Sequence, residues 1–369
     1  YRSRMSDPEP PPAGDWADTK LDDRYQLVRR IGAGGLGEVY LARHLRMGKQ
    51  FAVKFMLRQL TAESRFVERF DREARALSRL DHPGCVAVAD YGGTDEHGPY
   101  SVMELVKGVS ITEYCDTNML TTRERLDLFT EVCGAVQHAH QKGIIHRDIK
   151  PSNIIVSSED GKAVPKVIDF GVAKAVNLPL TEKTMFTQQG QLIGTPEYMS
   201  PEQAEMTAQD IDTRTDIYSL GVLLYELLTG ALPFDRETLR QAAFDELRRM
   251  IREQEPPRPS TRLSSLGEQA EKAAKSRRTR VAALAKRLNK ELEWIPLKAM
   301  RKERNRRYCS ASEFADDIRN YLNGAPLIAG PESAAYRVKK YIRKYRVPVT
   351  AVAVVVASVV IGLVVSISM

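Results

Sequence analysis

A polar stretch of eight residues in the middle of the chain is the most informative part of the sequence: His146-Arg147-Asp148-Ile149-Lys150-Pro151-Ser152-Asn153. It lies between the apolar runs 144–145 and 154–156, and it is too short to form a helix of its own. Asp148 can accept a proton from a hydroxyl group, Lys150 can neutralise phosphate charge, and Asn153 can bind a hard metal ion through its amide oxygen. The loop therefore combines a base, a cation and a metal ligand, which suits phosphate chemistry.

A second motif, the tripeptide Asp-Phe-Gly at 169–171, follows an apolar pair. This tripeptide alone is common and usually forms a turn. Its position sixteen residues after Asn153 makes Asp169 a second candidate metal ligand. Two oxygen ligands beside a polyphosphate suit Mg²⁺, because this ion keeps several of its waters and shares phosphate oxygens.

A glycine-rich segment lies nearer the N-terminus, with the sequence Gly-Ala-Gly-Gly-Leu-Gly-Glu-Val at residues 32–39. Glycine lets a backbone approach phosphates closely and adopt positive φ. The same spacing occurs in dinucleotide-binding turns, but a helix follows those turns, whereas strand-like sequence follows here. The segment alone leaves nucleotide binding undecided.

Two charged residues downstream have apolar surroundings. Lys54 lies in the run 51–56, whose alternating pattern predicts a strand with Ala52 and Lys54 on one face. Glu73 lies within a stripe of apolar residues at helical spacing, where a carboxylate needs a cation as its partner. We predict that Lys54 pairs with Glu73 and holds the α and β phosphates of a nucleotide. The alternative is a solvated strand lysine.

Length and composition limit the classes of protein. At 369 residues the chain is long for one domain, so two lobes or domains are expected. With 43% hydrophobic and 28% charged residues the composition is globular, which excludes a wholly disordered or fibrous protein. The four cysteines include no CxxC pair, which disfavours a zinc ribbon or a disulfide-stapled secreted module and favours a reducing compartment.

The positive charge is concentrated near the C-terminus. The formal charge is +7, and six basic residues with no acidic one lie between Arg337 and Arg346. Without this run the formal charge is about +1. Nucleic-acid binding through a distributed basic face is therefore disfavoured, and no nucleic-acid partner is expected.

The segment 347–369 carries no charge. As a helix its 23 residues would span about 34 Å, enough for a hydrocarbon core of ~30 Å. This predicts a single transmembrane helix over 347–369, with the lipid bilayer as a partner; a buried core helix is the alternative. Short basic flanks remain on the cytoplasmic side, so the preceding residues are expected to be cytoplasmic.

The sequence pattern predicts a succession of segments. They are a disordered tail at 1–22, a strand-rich lobe at 23–104, a helical lobe at 105–322, a basic juxtamembrane linker at 323–346 and the transmembrane helix at 347–369. Within the helical lobe, Thr121 and Glu124 form a capping-box pattern, and 217–229 predicts a buried helix. The charged insert at about 236–290 predicts amphipathic helices and a mobile segment.

In order and spacing, these motifs resemble the signature of the protein kinases, and more narrowly that of the bacterial eukaryotic-like Ser/Thr protein kinases of the membrane-anchored, receptor-like type. Residues 194–204 (Gly-Thr-Pro-Glu-Tyr-Met-Ser-Pro-Glu-Gln-Ala) resemble the end of their activation segment. The resemblance covers about residues 24–322. It implies an α+β, bilobal protein-kinase fold, with a β-rich N-lobe and an α-rich C-lobe, followed by the single transmembrane helix.

The resemblance also implies the sites for ATP and metal. The positions that match ATP-binding residues are Gly32, Gly34, Gly37, Val39, Ala52, Lys54, Glu104, Val106, Asn153 and Asp169. Met103 falls at the gatekeeper position, and Glu104 and 105–106 fall at the hinge, whose backbone would bind adenine. Asn153 and Asp169 match the ligands of Mg²⁺, with Mn²⁺ as an alternative metal.

Catalytic and structural roles follow from the same resemblance. Lys150 and Thr195 match residues typical of Ser/Thr rather than Tyr kinases. The matched catalytic positions are Asp148, Lys150, Lys54, Glu73 and Thr195. The matched structural positions are Arg147, Asp216, which would brace the catalytic loop, and the buried pair Glu202 and Arg307. The chain departs from the family in having Ser-Pro-Glu for Ala-Pro-Glu and in the length of its insert.

The function implied is transfer of the γ-phosphate of ATP to Ser/Thr hydroxyls of protein substrates, by the cytoplasmic part of a single-pass membrane signalling kinase at the inner membrane. Arg147 lies beside Asp148 and could hold a phosphate. We predict autophosphorylation in the activation segment on Thr184 or Thr187; the alternative is an exposed polar loop with no regulatory role. A homodimer, common among such receptors, is left open.

The main alternative is a catalytically silent pseudokinase that serves as a scaffold at the membrane. It is disfavoured because Lys54, Asp148, Asn153 and Asp169 are all present. A small-molecule phosphotransferase of the same fold is disfavoured by the complete activation segment. A nucleotide-dependent transporter subunit is disfavoured by the single predicted span.

Overall fold

The chain forms two units. In this computed structural model the described residues are 16–34, 37–56, 75–94, 98–170, 195–205 and 211–344. The first unit comprises Tyr1–Lys107 with Ile168–Gly194, and the second comprises Gly108–Val167 with Thr195–Met369. We call them the sheet unit and the helical unit after their main elements.

The sheet unit contains, in its described residues, a sheet of six antiparallel strands. The strands are β1 (Lys20–Leu21), β2 (Tyr25–Gly34), β3 (Gly37–His44), β4 (Gln50–Met56), β5 (Val88–Thr94) and β6 (Gly98–Glu104). Their order across the sheet is β1-β2-β3-β4-β6-β5, and every neighbouring pair is antiparallel. Consecutive strands therefore pair with each other, except β4 and β5, as suits antiparallel pairing.

The alternation predicted for residues 51–56 is present in β4. Phe51, Val53 and Phe55 are buried in the core of the sheet unit, whereas Ala52 and Lys54 lie half-buried on the opposite face. A strand turns successive side chains to opposite faces, so one hydrophobic face fixes the direction of Lys54.

The sheet begins earlier than the boundary expected at residue 23. Leu21 is fully buried in β1, and the ring of Trp16 packs on the rings of Tyr40 and Phe55, with centroids 5.6 and 4.8 Å away. Residues 16–22, which the sequence assigned to a tail, thus belong to the sheet unit. A lone tryptophan and a strand of two residues have no periodicity that a pattern could reveal. Residues 1–15 lie outside the described part.

The helical unit combines a small sheet with a succession of helices. Its strands are β7 (Val109–Ser110), β8 (Ile154–Glu159) and β9 (Lys162–Val167), paired in that order. Its first helices are α1 (Ile111–Thr117), α2 (Thr122–Gln141), α3 (Pro201–Ala204) and α4 (Arg214–Thr229). Those that follow are α5 (Arg236–Gln241), α6 (Phe244–Glu253), α7 (Pro259–Ser265), α8 (Glu268–Lys275), α9 (Val281–Arg287), α10 (Trp294–Ala299), α11 (Ala311–Leu322) and α12 (Ala334–Lys344).

Two sequence predictions about these helices are confirmed. At the start of α2, the Thr121 hydroxyl accepts from the Glu124 N–H at 3.3 Å, and the Glu124 carboxylate accepts from the Thr121 N–H at 2.7 Å. This is the expected capping box, which satisfies two N–H groups at the helix start. The helix predicted at 217–229 is α4, nearly all of whose side chains are buried.

The charged stretch at about 236–290 forms α5 to α9, continued by a π-helical turn at Leu288–Leu292. The amphipathic helices expected there are present. Leu263 and Leu284 are fully buried, and so is nearly all of Arg277, so the stretch is packed where the sequence suggested mobility. Many of the polar residues of this stretch lie on the outer faces of short helices.

The segment after α11 folds back on the helical unit. Asp317 of α11 is fully buried and accepts from the backbone N–H groups of Ile328 and Ala329 at 2.6 and 2.9 Å. Helix α12 follows and is attached through Tyr336, as described below. The segment expected to be a juxtamembrane linker is therefore partly folded.

No helix in the described part of the chain is long and apolar enough to cross a membrane. The helix predicted at 347–369 lies outside the described residues and stays a prediction.

Candidate active site

The glycine-rich segment joins β2 to β3. Gly32 lies opposite Val39 and Gly34 opposite Gly37 in the register of the two strands, and residues 35–36 lie outside the described part. A Cβ at Gly37 would overlap the carbonyl oxygen of Phe55 on β4, whereas a Cβ at Gly32 would be 3.9 Å from the nearest atom, the Val39 Cβ. Gly37 is therefore required for close packing of the strands, while Gly32 leaves the surface of the hairpin open.

The expected adenine and hinge positions lie on β4 and β6. Ala52 is paired with Met103 in the register of these strands. The carboxylate of Glu104 accepts from the Ala87 N–H at 3.0 Å, and the Glu104 N–H donates to the Ala87 carbonyl oxygen at 3.0 Å. The Glu104 side chain thus fixes the end of β6. Val106 follows β6 and is half-buried.

Lys54 forms an ion pair within the sheet unit. Its ammonium contacts the carboxylate of Asp169, with 19% of the lysine side chain and 38% of the aspartate side chain exposed. Asp169 has a φ of +63°, in the left-handed region that non-glycine residues seldom adopt. Glu73, the partner predicted for Lys54, lies outside the described residues. The sequence predicted separate roles for Lys54 and Asp169, and their contact was not predicted.

The polar residues of the loop 146–153 converge within the helical unit. The Lys150 ammonium lies 2.9 Å from an Asp148 carboxylate oxygen and donates to the Thr195 hydroxyl at 3.3 Å. Asn153 Nδ2 donates to the Asp148 carbonyl oxygen at 2.8 Å and to its carboxylate at 3.2 Å. A turn of 3₁₀ helix over Pro151–Asn153 brings these groups together. A candidate base and a cation therefore lie side by side, next to a hydroxyl of the segment that follows.

Asp216, at the start of α4, is hydrogen-bonded to the backbone of this loop. Its carboxylate is fully buried and accepts from the backbone N–H groups of His146 and Arg147, each at 2.8 Å, and from His140 Nε2 at 2.7 Å. Burial alone would raise the pKa of the Asp216 carboxyl, but the hydrogen bond from His140 and those from the loop hold it below its ordinary value. An ionised acceptor thus orients the two residues before Asp148.

Arg147 is part of the same arrangement. It has a φ of +64°, and its carbonyl oxygen accepts from Gln203 Nε2 at 2.8 Å. The threonines predicted to be phosphorylated, Thr184 and Thr187, lie outside the described residues. The roles of His140 and Gln203 were not predicted, since no spacing rule links these residues to the loop that they contact.

Glu202 and Arg307 form a buried, two-pronged pair. The Arg307 Nη atoms lie 2.7 and 2.8 Å from the two carboxylate oxygens, and both side chains are at most 5% exposed. Thr215 Oγ1 also donates to Glu202 at 2.7 Å. Burial would raise the pKa of Glu202, but the hydrogen bonds and charge of Arg307 lower it. The pair ties α3 to the segment before α11.

The side chains named above include groups that suit magnesium and a polyphosphate. Asn153 Nδ2 donates both of its hydrogen bonds to Asp148. The Oδ1 atom of Asn153 has a 3.5 Å contact with the Ser152 hydroxyl and is the atom of this side chain that can bind a cation. Lys54 beside Asp169 puts an ammonium next to a carboxylate. Amide and carboxylate oxygens are ligands that Mg²⁺ accepts, and an ammonium group suits a phosphate.

Residues 25–310 match the sequence model of the family described as protein kinase domain. The chain belongs to the protein kinase family. The sheet unit is the β-rich N-lobe of the kinase fold and the helical unit is its α-rich C-lobe. The predicted bilobal protein-kinase fold is therefore confirmed. The contacts around Asp148 and Lys54 described above lie within the matched range.

Bacterial serine/threonine-protein kinases are among the proteins that this chain resembles. The serine/threonine-protein kinase PknB of Mycobacterium tuberculosis is 36% identical over 310 residues, covering 83% of this chain and 44% of that protein. The probable serine/threonine-protein kinase PknB of Bifidobacterium longum is 37% identical over 315 residues, covering 83% and 41%. The chain thus spans less than half the length of these curated relatives. The crystal structure of the Mycobacterium tuberculosis PknI kinase domain is 26% identical, with a TM-score of 0.56, over 82% of this chain and 98% of that one.

Proposed function

We propose that this kinase transfers the γ-phosphoryl group of ATP to serine or threonine hydroxyls of protein substrates. The observation that carries the proposal is the group formed by Asp148, Lys150 and Thr195, with Asn153 holding the Asp148 carboxylate. Family membership and relatives named serine/threonine-protein kinases support the same activity. The order of the motifs along the chain supports ATP as the phosphoryl donor.

Phosphoryl transfer depends mainly on positioning the reactants and on neutralising the phosphate charge, and each residue has one of these roles. Asp148 orients the substrate hydroxyl and takes its proton while the oxygen forms a bond to the γ-phosphorus and the bond to the β-phosphate oxygen breaks. Lys150 neutralises charge on the transferred group, and Lys54 neutralises charge on the remaining phosphates. Bound Mg²⁺, or Mn²⁺ as an alternative, supplies further charge neutralisation, and Asn153 and Asp169 would hold it.

The test is phosphate transfer from labelled ATP by the full chain, compared with Asp148→Asn. This nearly isosteric change removes the proton acceptor, so the rate of transfer is expected to fall at least about 100-fold. Asp127→Asn is the matched control, because Asp127 lies exposed on α2 and pairs only weakly with Arg123 at 3.8 Å. The control should retain the parent rate.

Nucleotide binding is measured in the same samples by the thermal shift that ATP and Mg²⁺ produce. Transfer that survives Asp148→Asn would contradict the role of Asp148. A parent protein that binds ATP but transfers no phosphate to itself or to a mixture of Ser/Thr peptides would support the pseudokinase scaffold instead.

We also propose autophosphorylation at Thr184 or Thr187, as the sequence suggested. A phosphate there carries nearly two negative charges, for which the Arg147 guanidinium is a suitable partner. Mass spectrometry of the active parent should find phosphate on one of these threonines, and Thr184→Ala with Thr187→Ala should lower the transfer rate several-fold. Thr181→Ala serves as the control within the same segment. Active parent protein with neither threonine modified would refute the proposal.

Membrane attachment through 347–369, with the kinase domain on the cytoplasmic face of the inner membrane, is the remaining part of the proposal. It is supported by the absence of charge over these 23 residues and by the basic run before them.

A further inference from the structure

Helix α12 is attached to the helical unit by one of its faces. The ring of Tyr336 packs against the ring of Trp294 with centroids 6.0 Å apart, and the Tyr336 hydroxyl accepts from the Leu327 N–H at 3.3 Å. One turn further on, Lys340 forms an ion pair with Glu291. Residues four apart lie on the same side of a helix, so Tyr336 and Lys340 define the attached face.

The opposite face of α12 is apolar and exposed. At 100° per residue, Val338, Tyr341 and Ile342 fall within an arc of about 100° centred opposite Tyr336 and Lys340. Their exposed fractions are 56%, 60% and 48%. Single exposed apolar residues are normal on a protein surface, but three of them on one face of an 11-residue helix form an exposed apolar patch.

The charge around this patch is of one sign. Residues 334–346 include six basic residues and no acidic one, and Arg337, which lies beside the apolar arc, is exposed. The uncharged segment 347–369 begins three residues after the end of α12. A short helix with an apolar and aromatic face flanked by basic residues is the form taken by helices that lie in the surface of a bilayer.

We propose that the outward face of α12 binds the surface of a bilayer containing anionic lipids. Val338, Tyr341 and Ile342 enter the boundary between headgroups and acyl chains, and Arg337 lies among the headgroups. The proposal rests on the proposed attachment through 347–369, which keeps α12 beside the membrane. Since Tyr336 and Lys340 fix the other face to the helical unit, α12 then sets the orientation of that unit on the membrane.

A second copy of the chain is a poorer partner for this patch. A stable protein interface buries about 1,600 Å² in total, far more than three side chains of one short helix present. Two copies of the helix would also bring like charges together around Arg337.

The experiment places a fluorescent probe on α12 of the full chain in lipid nanodiscs. Cys309 is exposed and is changed to serine, while Cys85, Cys115 and Cys133 are buried and stay in place. Ile342→Cys is labelled with an environment-sensitive dye. Met119→Cys, also on an exposed apolar residue of the helical unit, is the control. Nanodiscs are made with and without phosphatidylserine, and with brominated lipids as quenchers.

The expected result is a blue-shifted emission that brominated lipid quenches at position 342 but not at position 119, with stronger quenching when phosphatidylserine is present. Arg337→Glu should weaken the quenching several-fold in discs with phosphatidylserine. Arg123→Glu, at an exposed arginine of α2, should leave it unchanged.

Three results would overturn the proposal, and they can be told apart. If the protein is incorporated into nanodiscs and the probe at position 342 keeps the emission of a dye in water, α12 does not touch the membrane. A blue shift without quenching by lipid would assign the patch to a second copy or another protein surface. Failure of the chain to incorporate into nanodiscs would refute the attachment through 347–369, and the proposal with it.

Discussion

Asp216 and Glu202 show how single buried carboxylates stay ionised in this kinase. Asp216 accepts hydrogen bonds from two backbone N–H groups and from His140. Glu202 accepts hydrogen bonds from two nitrogens of Arg307. Both carboxyl groups have a pKa below the ordinary value despite burial. They therefore contribute stability at pH values above the unfolded pKa, and this contribution is lost as the pH falls through the folded pKa.

Lys302 is the opposite case, a half-buried cation without a carboxylate in hydrogen-bonding contact among the described residues. Its ammonium donates to the Ile251 carbonyl oxygen at 2.6 Å and lies 5.7 and 5.4 Å from the ring centroids of Tyr218 and Phe234. Burial lowers the pKa of Lys302 to about 8. Between that value and the ordinary lysine pKa, the unfolded chain binds more protons than the folded one, so stability due to Lys302 rises with pH.

We therefore expect the parent to gain stability relative to Lys302→Met as the pH is raised from neutral to 10. With allowance for solvent access, the relative gain should be about 1–2 kcal/mol. Urea unfolding followed by circular dichroism at matched ionic strength measures it. Lys286→Met, at an exposed lysine of α9, is the control, and an equal pH dependence in Lys302→Met and the parent would contradict the expectation.

At the scale of elements, one carboxylate joins three parts of the helical unit. Asp116 at the end of α1 lies 2.8 Å from Arg125 of α2 and 3.8 Å from Arg277, which follows α8. Both arginine side chains are 1% exposed, and burial followed by the nearby charge of Arg125 lowers the pKa of Arg277 to about 10. Ser276 also donates to Asp116 at 3.0 Å. The charged insert is thus attached to α1 and α2 through paired charges.

Asp116→Ala should lower the free energy of unfolding by about 2 kcal/mol, since it leaves two buried guanidinium groups without their carboxylate. The loss should be smaller than for a fully buried pair because about half of the Asp116 side chain is exposed and water can partly replace it. Asp127→Ala is the control, because its exposed pair with Arg123 is worth less than about 0.5 kcal/mol. Equal thermal or urea stability of the two variants would refute the role of Asp116.

At the scale of the whole molecule, the sequence revealed what depends on local pattern. The alternation in β4, the capping box at Thr121 and the buried helix α4 follow from short-range periodicity, and the structure shows all three. The loop at 146–153 brings its own functional groups together because they are close in sequence.

Contacts between distant segments could not be predicted in the same way. The pairing of Lys54 with Asp169 and the burial of Arg277 depend on which segments meet in three dimensions, and a buried arginine looks like a surface arginine in the sequence. Trp16 and β1 were missed because they are too short to have a period. The attachment of α12 was missed because its many basic residues suggested an exposed linker, and the contacts of Tyr336 and Lys340 are with residues distant in the sequence.

The positions of the aromatic rings have a spectroscopic consequence. The chain has two tryptophans, and Trp16 lies in the sheet unit against Tyr40 and Phe55 while Trp294 lies in the helical unit against Tyr336. Each lobe therefore carries its own intrinsic fluorophore. The variants Trp16→Phe and Trp294→Phe turn the emission of the protein into separate optical signals for the two lobes, and the second signal also reports whether α12 stays in place.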